Sequence, residues 1–385
     1  MPEERSVVAL FAGIGGIEEG VSRSGFHPVL LCENWLPAQS VLQHRFPDVP
    51  IAGDVEELRS LPPAELVTAG FPCTDLSQAG RTAGIEGRQS GLVRKALSLV
   101  EKHKARWLLL ENVRNMLPLH NGQAMRAITS ELERMGFRWA YRVVDSRFSG
   151  VPQRRQRVLL LASRQEDPRS VLFSDDAGVR PDDSYNEDAY GFYWTEGLRG
   201  LGWCRDGVPT LKGGSTIGIP SAPAVWIPGA RPGSRFVTPG IATLERLQGF
   251  RKGWTMAASS HKRGEGARSK LIGNAVSVGV SSWVGRRLVE PGVWDDSLSS
   301  ALAPGSRWPM AAWGDSGRTF RVDVSMWPLR APYKHLMPLM GENHTRLSTR
   351  AAAGFLSRLE RGHLRVPEDF RLDLKEHIEV TTELG

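Results

Sequence analysis

Between residues 6 and 164, apolar runs of strand length alternate with longer stretches of helical pattern, and no other feature limits the possible folds so strongly. VVALF precedes a helical stretch at 14–24, PVLLCE one at 36–46, ELVTAG one at 90–103 and WLLLEN one at 123–135; a strand near 139–145 and the run VLLLAS end the series. Strands that reconnect through helices lie parallel in one sheet, with helices covering both of its faces. An α/β fold with a doubly wound, mostly parallel sheet is expected. Ligands of such sheets bind outside the carboxyl ends of the strands, so motifs that follow strands should line a single crevice.

After about residue 165 the pattern dissolves into Asp, Gly, Pro and aromatic residues, as in SDDAGVRPDDSYNEDAYGFYW, which marks a small, loop-rich insert. Helical spacing returns at 240–249 and 271–288, and the last hundred residues pass from a Trp- and Pro-rich stretch to the amphipathic LSTRAAAGFLSRLER. These shifts divide the chain into 1–164, an insert at 165–235, a return to the first domain at 236–290 and a C-terminal accessory extension at 291–385. A length of 385 residues is enough for two or three folding units.

Composition narrows the class further. Hydrophobic residues at 41% and charged residues at 24% are those of a soluble globular protein. The longest apolar runs have strand length and the start MPEERS is unlike a secretory leader, so we expect no membrane span and a cytoplasmic location. Cys32, Cys73 and Cys204 are an odd number without close spacing, which excludes a disulfide framework or a cysteine metal quartet. The nine His are scattered, and no metal cofactor is implied. The net charge of +7 is uneven: residues 230–284 hold nine basic and two acidic groups, residues 165–229 five and ten. A basic stretch is more often a solvated face than a phosphate-contacting surface, and the count alone does not separate the two.

Five segments carry candidate chemistry. FAGIGG, which comprises Phe11, Ala12, Gly13, Ile14, Gly15 and Gly16, follows the first strand and opens a helix, where glycines let backbone amides approach a ligand. Glu18 stands where a dinucleotide fingerprint would place its third glycine, which weakens a nicotinamide reading. Glu33 ends the second strand, 20 residues after Gly13, where an acid can take both hydroxyls of a ribose; alone, a tight turn and a surface carboxylate would explain the pair. GFPCTDLSQAG places Cys73 after Pro72 at the end of another strand, a position suited to a nucleophile, although a free cysteine is most often a small buried hydrophobe. WLLLENV ends on Glu111 and Asn112; a carboxyl there is costly unless it caps, pairs or works in a site, and a neighbouring cysteine favours the last. In QRRQR, Arg155 and Arg157 are two apart entering a strand and so share a face, as a phosphate or base clamp or as a surface pair beside Asp145.

Taken together and in this order, the segments resemble the cytosine-5 DNA methyltransferases of the prokaryotic modification type. FAGIGG resembles that family's cofactor loop, CENW its ribose-binding acid with an adjacent ring (Glu33, Asn34, Trp35), and GDV the acid that meets the adenine amine (Asp54, Val55). Pro72 and Cys73 resemble the catalytic dipeptide, ENV the acid motif and QRRQR the arginine motif. TLERLQGF at 243–250 resembles the motif supporting the recognition domain, and GNAV, with Asn274 and Ala275, the late cofactor motif. The resemblance covers roughly residues 6–288. Thr74 where Gln is frequent, Ala275 where Ser is common and Arg251 where Pro often follows LQGF depart from the pattern without touching the nucleophile, acid or arginines. The segment at 165–235 is short for a target-recognition domain, and the target sequence is not legible from it.

The resemblance implies a methyl transfer from S-adenosylmethionine to C5 of a flipped cytosine in a specific sequence of double-stranded DNA. Cys73 would form a covalent intermediate, Glu111 would hold or protonate N3, Asn112 would orient the loop, and Arg155 and Arg157 would clamp the nucleotide. The biological setting it implies is self-marking of host DNA in restriction-modification or phage defence, by a monomer on DNA with other defence proteins as further partners. Three rivals are weaker. A DNA-binding module without turnover is opposed by intact Cys73, Glu111 and Asn112, a relative acting on RNA by the separate recognition segment, and a nicotinamide dehydrogenase by the glycine spacing.

Overall fold

The apolar runs form strands, joined in chain order as β1 (Ser6–Leu10), β2 (His27–Cys32), β3 (Ile51–Ala52), β4 (Leu66–Ala69), β5 (Trp107–Val113), β6 (Arg138–Asp145), β7 (Gln153–Arg154) and β8 (Gln156–Ser163). The computed structural model describes residues 5–71, 88–198, 200–214 and 223–383. Later come β9 (Tyr190–Phe192), β10 (Cys204–Arg205), β11 (Val208–Pro209), β12 (Ala224–Trp226), β13 (Phe236–Pro239), β14 (Ser299–Ala301), β15 (Ala311–Asp315), β16 (Arg318–Val322) and β17 (His344–Arg346).

The chain divides into two compact units, the first comprising 1–149, 156–179 and 275–330. Its sheet has ten strands in the order β14-β16-β15-β6-β8-β5-β4-β1-β2-β3. Pairings from β3 through β2, β1 and β4 to β5 are parallel, and those from β5 through β8, β6, β15 and β16 to β14 are antiparallel. Seven of the ten strands thus point one way. Alternate residues feed different cores: Val67, Leu108 and Leu110 pack into one face, Leu66, Trp107 and Leu109 into the other. Burial on both faces explains why these strands read as unbroken apolar runs. The strand order reverses between β1 and β4, so a crevice opens where Leu10 and Ala69 hand the chain to their loops.

The second unit comprises 150–155, 180–274 and 331–385. Its antiparallel sheet runs β10-β9-β12-β13-β17, and β7 pairs with β11 beside it. Phe192, Trp226 and Phe236 on this sheet meet Phe355 and Phe370, which come from helices Thr349–Arg361 and Glu368–Glu383.

These boundaries differ from those drawn by composition at 164, 235 and 290. Residues 165–179 stay with the first unit because Asp175 receives Trp283 Nε1 (2.8 Å) and Arg287 Nε (2.7 Å), while Asp176 pairs with the buried Arg142 (3.0 Å). The acidity of this stretch is therefore spent on ion pairs. Residues 241–274 belong to the second unit, and the extension at 291–385 is not one element: β14–β16 prolong the first sheet from β6, whereas β17 pairs with β13. Such pairings join residues more than a hundred positions apart and leave no local sequence mark. Among the described residues no helix is long and apolar enough to cross a membrane, and no group of His, Cys, Asp and Glu could hold a metal.

Candidate active site

The turn after β1 is folded by positive backbone torsions. Phe11 (φ 58°), Gly13 (φ 57°) and Gly15 (φ 78°) are left-handed, a conformation that costs a bulky residue such as Phe and that is retained where the surroundings enforce it. At Gly15 a Cβ would also lie 2.5 Å from the Phe46 ring, so no side chain fits. The Ala12 amide bonds to Cys32 O at 2.9 Å, which sets this turn beside the end of β2. There Glu33 spans both loops: its Oε2 accepts from the Gly13 amide (2.9 Å) and its Oε1 from the Trp35 amide (2.8 Å). Burial raises its pKa, opposed by the amides of Trp35, Gly13 and Asn34. Each carboxylate oxygen keeps a further lone pair. A carboxylate fixed against a glycine turn offers acceptors that fit the two hydroxyls of a nucleoside diol, so Phe11–Gly16 and Glu33–Trp35 suit S-adenosylmethionine. Beyond β3, Asp54 turns its Oδ1 to the Glu56 amide (2.9 Å), and Val55 is buried.

At the end of β5, Glu111 and Asn112 are both buried, and period-two alternation sends them to opposite faces. Glu111 pairs with Arg157 Nε at 2.9 Å, and a Cβ on Gly70 would lie 3.7 Å from Glu111 Oε2. The antiparallel course of β8 makes the pair possible. Because β8 begins where β5 ends, with Glu111 opposite Leu159 and Val113 opposite Arg157, the arginine is the diagonal neighbour of the acid. Asn112 Nδ2 donates to Phe71 O at 3.2 Å, while its Oδ1 accepts the Val113 amide at 2.8 Å. It holds the backbone directly ahead of Pro72 and Cys73, which lie outside the described residues.

The two arginines have different partners. Arg155 precedes β8, so the strand alternation that would place it on one face with Arg157 does not apply. Only 1% exposed, it lies in the second unit and donates from Nη1 to Leu211 O (2.9 Å) and from Nη2 to Gly273 O (3.1 Å). Asp145 bonds Arg147 instead of either arginine, at 2.9 Å. Asn274 also falls in the second unit, where its Oδ1 leaves no space for a Cβ on Gly213 (1.9 Å); Ala275 begins the return to the first.

Sequence reasoning passed over the residues that brace these motifs. Gln153 accepts the Leu211 amide (3.0 Å) and donates to Leu247 O (2.9 Å), and Gln248 donates to Ile272 O (2.8 Å). Glu245, fully buried, gathers the Gly253 and Thr255 amides at 2.6 and 2.8 Å and the Thr255 hydroxyl at 2.6 Å. Their only signal was membership of QRRQR and TLERLQGF, which assigned no task to the single residues.

Comparison with known proteins identifies the family and the fold. The model of the C-5 cytosine-specific DNA methylases matches residues 6–189. Type II methyltransferase M2.BsuMI of Bacillus subtilis (strain 168) is 45% identical over 366 residues, covering 92% of this chain and 93% of that protein. Type II methyltransferase M.Bsp6I of Bacillus sp. (strain RFL6) is 31% identical over 163 residues, 41% of this chain and 52% of its own length. The Dnmt2 methyltransferase of S. pombe shares the fold with a TM-score of 0.56 at 16% identity, covering 74% of this chain and 98% of that one. With near-complete overlap at 45% identity to one such enzyme, this chain belongs to the C-5 cytosine-specific DNA methylases, which transfer a methyl group from S-adenosylmethionine to C5 of cytosine in DNA.

Proposed function

We propose that this chain methylates a specific sequence in double-stranded DNA through a covalent bond between Cys73 and cytosine, and that it marks host DNA against a partner restriction or defence activity. The observation that carries the reading is the Glu111–Arg157 pair at the end of β5, joined to the Cys73 segment through Asn112 and Phe71 O. C5 of cytosine is too weak a nucleophile to act while the ring is aromatic. Addition of the Cys73 thiolate to C6 forms the S–C6 bond and pushes electrons to N3, where Glu111 holds or delivers a proton. Arg157 keeps the Glu111 carboxyl in place and faces the base; Arg155 serves the recognition unit instead. S-adenosylmethionine supplies an electrophilic methyl group, which C5 takes once the ring carries the enamine. Loss of the C5 proton then expels Cys73 as thiolate and restores the aromatic ring. Since neither carbon is reachable within a duplex, the cytosine must be flipped out of the stack.

In this reading Phe11–Gly16, Glu33, Asn34, Trp35, Asp54, Val55 and Pro72 hold the cofactor, with Asn274 and Ala275 closing the same motif set. Residues 180–274 with 331–385 choose the target. The protein works as a monomer in the cytoplasm.

A duplex carrying 5-fluorocytosine at the target tests the chemistry. Fluorine cannot leave as a cation, so the wild-type chain with S-adenosylmethionine should yield a denaturation-resistant adduct, and Cys73→Ala none. An adduct mapped to Cys32 or Cys204, or undiminished methylation by Cys73→Ala, would overturn the reading. Sequencing of 5-methylcytosine in cells expressing the chain identifies the target motif.

A further inference from the structure

Behind the glycine turn, the helix Gly16–Ser22 carries Glu18 into the sheet. Glu18 is 1% exposed; its Oε1 accepts from the Thr68 hydroxyl on β4 at 3.0 Å, and among the described residues its Oε2 has no hydrogen-bond partner. Thr68 is two residues before Gly70, the position that faces Glu111. A carboxyl group is thus wedged between the element that cradles the cofactor and the strand that leads to Cys73, where a buried residue at this interface would ordinarily be apolar.

Charged groups on the surrounding elements are engaged elsewhere. On its own helix Glu19 lies 3.8 Å from Arg23; directly after β2 Glu33 is held by Gly13 and Trp35; on β5 Glu111 is paired with Arg157. The helix Val278–Val289, against which Gly20 packs at Ser281, ends in Arg286 and Arg287, the latter held by Asp175. Burial raises the Glu18 carboxyl to about 7, opposed by its own backbone amide and Thr68. An isolated buried carboxylate is costly, and with no cation beside it among the described residues this group carries its proton in a large fraction of molecules near neutral pH.

We propose that Glu18 is a proton-linked positioning residue that ionises when S-adenosylmethionine binds, so that its carboxylate balances the sulfonium and the cradle distinguishes cofactor from product. The uncharged thioether of S-adenosylhomocysteine offers no such balance. The step releases one proton from the Glu18 carboxyl to solvent and breaks no other bond. Its consequence is that the neutral product is held less tightly than the cation as pH rises through neutrality, which favours exchange of product for fresh cofactor.

Calorimetry of each ligand with the full chain near pH 7, in two buffers of different ionisation enthalpy, counts the protons released. The wild type should release a larger fraction of a proton with S-adenosylmethionine than with S-adenosylhomocysteine. Glu18→Gln, which keeps an acceptor for Thr68, should fold, bind both ligands and show equal proton counts for the two. Glu33→Gln should retain the difference, since the diol is common to both ligands. Equal counts in the wild type, or a difference that survives in Glu18→Gln, would overturn the proposal; absence of any binding heat would instead strike at the cofactor site itself.

Discussion

The end of β5 in the first unit and the Gln153–Arg155 segment in the second use the same residue types differently. At β5, Glu111 meets Arg157 in one ion pair at 2.9 Å, and Gly70 faces its Oε2, where a Cβ would lie in ordinary contact at 3.7 Å. In the second unit Gln153, Arg155, Gln248 and Glu245 bond mostly to backbone atoms of Leu211, Leu247, Gly253, Thr255, Ile272 and Gly273, and their remaining partners include one another, the Thr255 hydroxyl and Arg268. A carboxylate held by one ion pair keeps capacity for a further partner, whereas side chains that hold loops spend theirs on the chain.

Substitutions at the two places should therefore fail differently. The largest effect is expected for Glu111→Gln, which should slow adduct formation and kcat by about 100- to 10,000-fold, the usual range for loss of an acid–base group. Cofactor affinity, measured by calorimetry, should stay within twofold; a matching loss of binding would place Glu111 in the cradle instead. Next, neutralising the exposed Arg251, Lys252, Lys262 and Arg263 should weaken DNA binding and flatten its salt dependence by roughly 0.9 per phosphate contact removed, with the methylated motif unchanged. A new target motif in that variant would show that these residues read bases. The smallest effect on chemistry belongs to Arg155→Ala. It leaves the carbonyls of Leu211 and Gly273 without their donor, at a cost of about 1–3 kcal/mol each, so the denaturant midpoint should fall. The trapped adduct should still form at a near-normal rate at saturating DNA. If adduct formation collapsed while the midpoint held, Arg155 would be a substrate contact after all and the contrast between the regions would break.

The parts of the molecule legible in its sequence are those with local cause. The parallel strands β1, β2, β4 and β5 announced themselves because burial on both faces demands unbroken apolar runs, and FAGIGG because a turn with φ near 57° and 78° at Gly13 and Gly15 favours glycine. Glu33 and Glu111 stood out as carboxyls at the ends of such strands. The direction of β8 did not, since an antiparallel strand buried on both faces looks like a parallel one; yet that direction brings Arg157 to Glu111 and leaves Arg155 out. Glu18 was noticed only as a failed glycine, because the carboxyl's burial depends on Thr68, 50 residues away.

Sequence by itself determined the family: the glycine turn, the Pro72–Cys73 dipeptide, the carboxyls that end apolar strands and the order of these segments name it, because each depends on a residue type at a strand end. Tertiary structure decided the partition. The split of 291–385 between β14–β16 and β17, the passage of 241–274 to the second unit and the separate duties of Arg155 and Arg157 all follow from pairings across long chain separations. Such pairings are selected by which edges and side chains remain unsatisfied once the local elements have formed, and that is a property of the assembled fold.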